Sequence, residues 1–281
     1  MIRKVSAKEI EGKVKELCYK ANIIIRPDIK RALKKACLAE KNLSSKRMIE
    51  ILLENAEIAK KEKLPLCQDT GLAAVFVQIG CDVHIVGGDL SSAVNCGVET
   101  AYTVYNFRKS VVMDPLTREY RNTNTPAVLH VEPVKGKKIK ITVMPKGFGS
   151  ENKGRISMLN PTSGEKEIID FCVETVRKAG PDACPPYILG VGIGGTMDMC
   201  ALLSKKALLR PIDKKNSKIN AVNLERKMLK KVNSLGIGVM GLGGLFTALA
   251  VNIELAPTHI AGLPVAVALS CHSLRSATGE I

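Results

Sequence analysis

The residues with the clearest chemical potential in this sequence are its nine cysteines. No two of them have the C-x-x-C spacing of zinc ribbons, thioredoxin-type redox sites or ferredoxin-type clusters, so any metal site must gather distant residues. A single cysteine is most often a small buried apolar side chain. Six of the nine fit that role because they fall in predicted helices or at the start of a predicted strand: Cys18, Cys37, Cys81, Cys96, Cys172 and Cys200.

The other three cysteines lie in predicted loops, from which a thiolate can project. They are Cys67 in "LPLCQDTGL", Cys184 in "DACPPY" and Cys271 in "LSCHSLRSATGEI". Prolines beside or near two of them fix φ and remove a backbone N–H, which stiffens the loop and holds the sulfur in one direction. Three thiolates are one short of a closed tetrahedral site, and a Lewis-acid metal needs such an open position for substrate.

Two glycine-rich stretches formally match the G-x-G-x-x-G pattern of dinucleotide sites, "GVGIGG" at 190–195 and "GIGVMG" at 236–241. A nicotinamide site also needs a second parallel strand that ends in an acidic residue about 20 positions later. The acidic residue that follows the first stretch, Asp213, lies in a lysine-rich turn. Close packing of backbone against backbone is therefore the favoured role of these glycines.

Two further features could bind an anion. In "MPKGFGSENKGR" at 144–155, glycine turns could direct backbone N–H groups at an anion, and Lys146, Lys153 and Arg155 add positive charge. A polar hairpin or loop explains the same stretch equally well. His259, between two prolines, could be an anion ligand or a proton carrier, although a lone histidine usually has a structural role.

The elements that must position these residues alternate between helix and strand. Residues 1–63 are predicted to be helical, with a capping box at "SAKE", residues 6–9. "AAVFVQIG" and "CDVHIVGG" are predicted strands that could pair, and "KIKITVMPKG" has the alternation of a half-exposed strand. Strands and helices then continue to the strand-like tail, "GLPVAVALSCHS". The predicted fold is mixed α/β, in one domain or two subdomains that share a core.

Composition limits the classes of function. Hydrophobic residues make up 46% and charged residues 25%, as in ordinary globular proteins. The net charge of +15 suggests nucleic-acid binding, but lysines alternate with glutamates as on a solvated helix face, and aromatic stacking platforms are scarce. The start of the sequence lacks the apolar core of a signal peptide, and the longest apolar run is broken by glycines. We therefore expect a cytoplasmic protein that binds neither nucleic acid nor membrane.

Five stretches in the same order resemble a known family. They are "PLCQDTG", "NFRKSV" followed by "NTNTPA", "KGFGSENK", "ACPPYILGVGIGGTMD", and "APTHIAGLPVAV" followed by a late cysteine. They resemble the class I, iron–sulfur-dependent fumarate hydratases and the related L-tartrate dehydratases, in particular their N-terminal domain or separate alpha subunit. By this resemblance, residues 1–281 form one alpha-type catalytic domain whose helical part spans about 1–63.

The resemblance implies a 4Fe–4S cluster with one open iron, held by Cys67, Cys184 and Cys271. It also implies that Gln68 and Asp69 line the substrate site, with Asp69 orienting a base or relaying a proton. By the same resemblance, Arg108 and the backbone near Gly149 bind a substrate carboxylate. His259 is implied to contribute to a substrate site, either that of its own chain or that of a neighbouring subunit.

The implied reaction is the reversible hydration of fumarate to L-malate, in which an open iron helps hydroxide to leave. The close rival is dehydration of L-tartrate. Because the chain ends ten residues after Cys271, it resembles an alpha subunit that needs a beta subunit for the remaining catalytic residues. Self-association through alpha is also implied. A zinc hydrolase that uses the same three thiolates and a basic nucleic-acid-binding protein are the alternatives.

Overall fold

The computed structural model describes residues 2–281 and confirms the mixed α/β class. The strands are β1 Arg3–Ser6, β2 Leu72–Gly80, β3 Val83–Val86, β4 Val128–Val134, β5 Ile139–Lys146, β6 Arg155–Leu159, β7 Tyr187–Ile193, β8 Ala248–Leu255, β9 Leu263–Ser270 and β10 Ala277–Glu280. The helices are α1 Ala7–Ile23, α2 Pro27–Ala39, α3 Leu43–Glu62, α4 Leu90–Val104, α5 Phe148–Glu151, α6 Glu165–Ala179, α7 Met197–Leu209 and α8 Ile219–Asn233.

The chain divides into two compact units, each with its own apolar cluster. The first unit contains residues 2–26, 56–148 and 275–281. The second contains residues 27–55 and 149–274. No helix in the described residues 2–281 is both long enough and apolar enough to cross a membrane.

The first unit is built on a four-stranded sheet of order β10–β5–β2–β4, against which α1 packs, with α4 on α1. The predicted capping box starts α1: the Ser6 hydroxyl accepts the Glu9 N–H at 3.1 Å, and the Glu9 carboxylate accepts the Ser6 N–H at 2.8 Å. The bond from the Ser6 N–H, with a second bond from the Ser6 hydroxyl to the same carboxylate, lowers the pKa of Glu9. Helix α1 then buries the apolar side predicted for it, including Ile10, Val14 and Leu17.

Three local predictions in this unit are wrong. The strand in "CDVHIVGG", β3, does not pair with β2, because both edges of β2 are occupied by β4 and β5; it pairs in parallel with β1. Cys81 lies exposed in the turn before β3 instead of starting it. Strand β5 is buried apart from Lys140, since it lies inside the sheet between β10 and β2 and α1 packs against it.

The second unit is built on a sheet of order β6–β9–β7–β8, with α6, α8 and α7 packed against it. Alternate residues of β7, such as Leu189 and Val191, join the cluster with α6 and α8. The glycines between them face α7: a Cβ on Gly190 or Gly192 would lie 2.1 Å from a carbonyl oxygen of that helix. This confirms close backbone packing as the role of the "GVGIGG" glycines.

Candidate active site

The loop that carries Cys67, residues 63–71, is held to the first unit by hydrogen bonds on both sides of the cysteine. We call it the Cys67 loop. Before the cysteine, the Leu66 N–H donates to the carbonyl of Asn22 at 2.9 Å. After it, the carbonyl of Asp69 accepts from Arg275 Nη2 at 2.8 Å. The same guanidinium donates through Nη1 to Asn22 Oδ1 at 3.2 Å, so the two anchors are themselves bonded.

The end of the Cys67 loop is fixed by two buried side chains. The Tyr102 hydroxyl lies 2.6 Å from the Thr70 carbonyl and 3.1 Å from that of Gly71, and Asn124 Nδ2 donates to the latter at 3.1 Å. Burial is the main cause that raises the pKa of Tyr102, so its hydroxyl stays a donor. Gly71 has φ +75°, and a Cβ there would meet the backbone of Lys146 at 2.8 Å, so the chain requires glycine.

The Asp69 carboxylate joins the Cys67 loop to the start of the "GFGS" segment. Its Oδ1 accepts the Gly71 N–H and its Oδ2 accepts the Phe148 N–H, each at 2.9 Å. A carboxylate held by two backbone donors has a defined position and keeps further lone pairs for other partners. One N–H of the predicted anion-binding stretch is therefore already bonded to the protein.

Arg108 lies next to the Cys67 loop, because the Thr70 hydroxyl donates to the Arg108 carbonyl at 2.8 Å. Its side chain is exposed, as is that of Gln68. Beside it is an open cavity of about 590 Å³, lined by Phe107, Arg108, Lys109, Ser110, Val112, Tyr120 and Asn122. The first unit therefore places Cys67, Gln68, Asp69 and Arg108 in one connected region.

Cys184 and Cys271 lie together in the second unit. The N–H of His272, next to Cys271, donates to the Cys184 carbonyl at 3.3 Å, and the His272 ring Nδ1 lies 3.2 Å from the same oxygen. The Cys271 sulfur lies 3.2 Å from the hydroxyl of Ser273. The register of β7 with β9, Ile188 opposite Ser270, brings the two cysteines to the same end of this sheet.

Cys184 has an unusual backbone conformation. Its φ is +56°, in the left-handed region that non-glycine residues rarely adopt. Its N–H donates to the Pro181 carbonyl at 3.1 Å, and its carbonyl is the acceptor for His272. Such a conformation persists only where the surrounding structure enforces it, and it is found most often at functional sites.

Gly149 lies near Cys184 within the second unit. A Cβ at Gly149 would come 3.9 Å from the carbonyl of Asp182, two residues before the cysteine. An ion pair between Lys153 and Asp182, at 2.7 Å, fastens the same segments. Lys153 is thus engaged, and the guanidinium of Arg155 lies 5.2 Å from the centre of the Phe171 ring. Lys153 and Arg155, both predicted for anion binding, therefore already contact other groups of the protein.

His259 lies far from the two cysteines of its own unit. It is in the loop before β9, whereas Cys271 follows that strand, so eight residues, roughly 25 Å of extended chain, separate the two ends. The same register places "GVGIGG" beside His259, where the Thr258 hydroxyl donates to the Gly195 carbonyl at 3.0 Å. His259 is exposed, and its Nδ1 accepts the Ala261 N–H at 3.2 Å, which leaves Nε2 directed away from that bond.

Burial makes three of the other six cysteines poor ligands, whereas Cys37 is partly exposed and Cys81 and Cys96 are exposed, so the buried role predicted for these last three is wrong. Cys18, Cys172 and Cys200 are buried, as predicted, and burial raises the pKa of all three, to about 12 for Cys18 and about 11 for Cys200. A thiol must lose its proton to bind a metal, so these three are poor ligands.

Cys67, Cys184 and Cys271, by contrast, are partly exposed. Within residues 2–281, no group of three or more His, Cys, Asp or Glu side chains is arranged to hold a metal ion. The three-cysteine ligand set therefore stays a prediction. The chemistry of the donors fits a cluster, because all three are partly exposed thiols in loops. The loops of Cys184 and Cys271 are also hydrogen-bonded to each other through His272.

Sequence patterns missed the residues that hold the Cys67 loop. Tyr102 occupies an ordinary apolar position of α4, and Asn124 lies in a polar loop. Arg275 is separated from Asp69 by 206 positions, and nothing in its local sequence marks it as buried. Of the three, only Asn124 lies in a stretch that resembles the family, "NTNTPA".

Comparison with known proteins decides the family. The sequence profile of the family described as "Fumarate hydratase (Fumerase)" matches residues 11–280. The chain belongs to the fumarate hydratase family. Its name, like those of the relatives that follow, denotes enzymes that add water to a double bond or remove it, so this is a family of hydro-lyases. The resemblance found in the sequence is thereby confirmed.

Relatives of this fumarate hydratase family member cover nearly its whole length. The chain is 40% identical over 279 residues to the "Putative L(+)-tartrate dehydratase subunit alpha" of Methanocaldococcus jannaschii, which covers 97% of this chain and 98% of the relative. It is 32% identical over 254 residues to the L(+)-tartrate dehydratase subunit alpha of Escherichia coli strain UTI89. The protein of the same name from Shigella boydii is 31% identical, and each of the last two matches covers 89% of this chain and 84% of the relative.

Proposed function

We propose that this chain is the alpha subunit of an iron–sulfur hydro-lyase that adds water to, or removes it from, a four-carbon dicarboxylate. The observation that carries the proposal is the contact between the Cys184 and Cys271 loops through His272, in a family of hydro-lyases. The loops of two cysteines far apart in sequence meet, and both cysteines are partly exposed. With Cys67 they would supply three thiolates to a 4Fe–4S cluster and leave one iron open.

When bound, such a cluster supplies a Lewis acid that makes hydroxide a better leaving group. The chain's own residues bind and orient the substrate. Arg108 suits a carboxylate, because a guanidinium offers two parallel N–H donors to it. Gln68 can donate to one substrate oxygen and accept from another, and the backbone of Gly149 adds a donor. The Asp69 carboxylate, held by backbone N–H groups, can accept from a substrate hydroxyl or orient a base.

Two partners complete the proposal. The relatives named "subunit alpha" support a beta subunit that supplies the proton-abstracting base and further cations. His259 lies at the opposite end of β9 from Cys271, so we propose that it serves the site of a second copy of the chain. Mixing inactive Cys271→Ser and His259→Asn chains with beta subunit should then restore part of the activity. Mixed chains as inactive as the separate ones would contradict this assignment.

The substrate is the finer part of the proposal. The family description names fumarate, which supports hydration of fumarate to L-malate. L-tartrate dehydration is the second candidate, and the names of the relatives favour it. The test is to purify the alpha–beta pair without oxygen and compare kcat/KM for fumarate, L-malate and L-tartrate. The pair should be active either on both fumarate and L-malate or on L-tartrate, and alpha alone should have little or no activity; a pair inactive on all three would refute the hydro-lyase proposal.

The cluster has its own test. We expect the chain purified without oxygen to be brown, with a broad absorption near roughly 400 nm that bleaches in air, as for an exposed cluster. Cys67→Ser, Cys184→Ser and Cys271→Ser should each abolish this absorption. Cys172→Ser is the matched control, because Cys172 is buried in α6 and should leave the colour unchanged. A colourless protein with one zinc per chain would support the zinc hydrolase instead.

A further inference from the structure

We propose that Arg275 is a positioning residue that sets the direction of the Cys67 side chain and makes the surroundings of its sulfur more positive. The proposal rests on the proposed function, because it gives Arg275 a role toward a cluster bound by Cys67. Arg275 itself is not proposed to touch substrate.

The first argument is the geometry around Cys67. Its neighbour Leu66 is bonded to Asn22, Asp69 is bonded to Arg275, and Asn22 and Arg275 are bonded to each other. These bonds close a ring around the three-residue step from Leu66 to Asp69. Because Cys67 lies inside this ring, the fork of the guanidinium fixes the backbone on which the sulfur is carried. A shorter or unforked side chain cannot hold both oxygens at once.

The second argument is that the two side chains that close the ring, those of Arg275 and Asn22, are rigidly held. Arg275 is 4% exposed and Asn22 is fully buried, so neither side chain has room to adopt another rotamer. Asn22 Nδ2 donates to the Cys18 carbonyl at 3.1 Å, which fastens it to the last turns of α1. The Cys67 loop is thus bonded through Arg275 to a helix in the core of the first unit. Buried networks of this kind hold ligand-bearing segments in one conformation.

The third argument is charge. The Arg275 guanidinium donates to two neutral oxygens, the Asp69 carbonyl and the Asn22 side-chain amide. A buried positive charge so placed acts over several ångströms with little screening by water. A cluster gains negative charge on reduction, so a nearby guanidinium favours the reduced state and raises the reduction potential. Replacing arginine by a neutral side chain should therefore lower that potential.

The first experiment uses the chain without metal and measures amide hydrogen exchange. In Arg275→Gln, exchange at Leu66 and Gly71 should accelerate by at least roughly tenfold, because the ring is opened locally. The control is Arg3→Gln: Arg3 lies in the same unit and also donates to two carbonyls, those of Lys137 and Ile281, each at 3.0 Å. It should leave the Cys67 loop unchanged. Equal exchange in Arg275→Gln and wild type, or equal acceleration by Arg3→Gln, would overturn the proposal.

The second experiment uses the chain with its cluster reconstituted, and compares wild type with Arg275→Lys and Arg275→Gln. Arg275→Lys keeps the charge but loses the fork, and it also serves if Arg275→Gln does not fold. We expect both variants to lose the absorption near roughly 400 nm in air about 10- to 100-fold faster than wild type. Only Arg275→Gln should lower the reduction potential.

The outcomes of the two experiments separate this proposal from the proposed function. A wild-type chain that binds no cluster would contradict the proposed function, and hydrogen exchange alone would then decide whether Arg275 positions the loop. A wild-type cluster whose lifetime and potential are the same in Arg275→Gln would support the proposed function and refute the role given to Arg275.

Discussion

The backbone of Cys184 offers a test of stability that needs no cluster. At φ +56°, a side chain with a Cβ costs about 1–2 kcal/mol relative to glycine. Glycine also makes the unfolded chain more flexible, which costs about 0.4–1 kcal/mol. Cys184→Gly should therefore be more stable than Cys184→Ala by about 1 kcal/mol, the difference between these two effects. The free energy of unfolding of the metal-free chain in urea, under reductant, measures this difference.

Cys172 supplies a control with the opposite sign. It is fully buried in the same unit but lies within α6, where glycine is less favourable than alanine by about 1 kcal/mol. Cys172→Gly should thus be less stable than Cys172→Ala, whereas the order reverses at Cys184. If Cys184→Ala equals or exceeds Cys184→Gly in stability, the left-handed conformation is not enforced by the fold, and the strain argument fails.

Three further predictions concern stability measured by urea unfolding. Gly192→Ala should lower the unfolding free energy by at least about 2 kcal/mol, since its Cβ would lie 2.1 Å from a carbonyl of α7. Gly12→Ala, in α1 with free space around it, should raise the unfolding free energy by about 0.5–1 kcal/mol. Equal effects of the two substitutions would contradict the packing of Gly192 against α7. Tyr102→Phe should cost about 1–3 kcal/mol because carbonyls of the Cys67 loop lose a buried donor, and Tyr120→Phe, at an exposed site, should be nearly neutral. The unfolding free energy should fall as the pH rises from about 9 towards 12, because the unfolded chain loses the Cys18 proton near 9 while the folded chain, in which the pKa is raised to about 12, keeps it. Cys18→Ala should show a smaller fall.

Local sequence predicted the parts of the site that depend on local rules. Proline and glycine punctuation placed Cys67, Cys184 and Cys271 in loops, and helical periodicity placed Cys18 and Cys172 in the core, because both patterns act over a few residues. The accessibility of thiols in turns was predicted less well: Cys81 is exposed in a turn, since its neighbouring strand is an edge pair rather than part of the main sheet.

Long-range pairings could not be predicted in this way. Strand β3 pairs with β1 about 80 positions earlier, and strands of only four residues carry no pattern that identifies their partner. The bond from Arg275 to the Asp69 carbonyl spans 206 positions. Arginine is usually a surface residue, and only the folded structure shows that Arg275 is buried.

The division of the first unit into three stretches of chain has a consequence for biosynthesis. Strand β10 pairs with β5, and the Thr278 and Thr142 hydroxyls that meet across this pair are separated by 136 positions. Residues 275–281 are the last of the three stretches to leave the ribosome. The Cys67 loop can therefore form its bond to Arg275 only after the whole second unit has been translated. Iron loading is thus expected to follow synthesis, and a nascent chain stalled before Arg275 should hold Cys67 in a mobile segment.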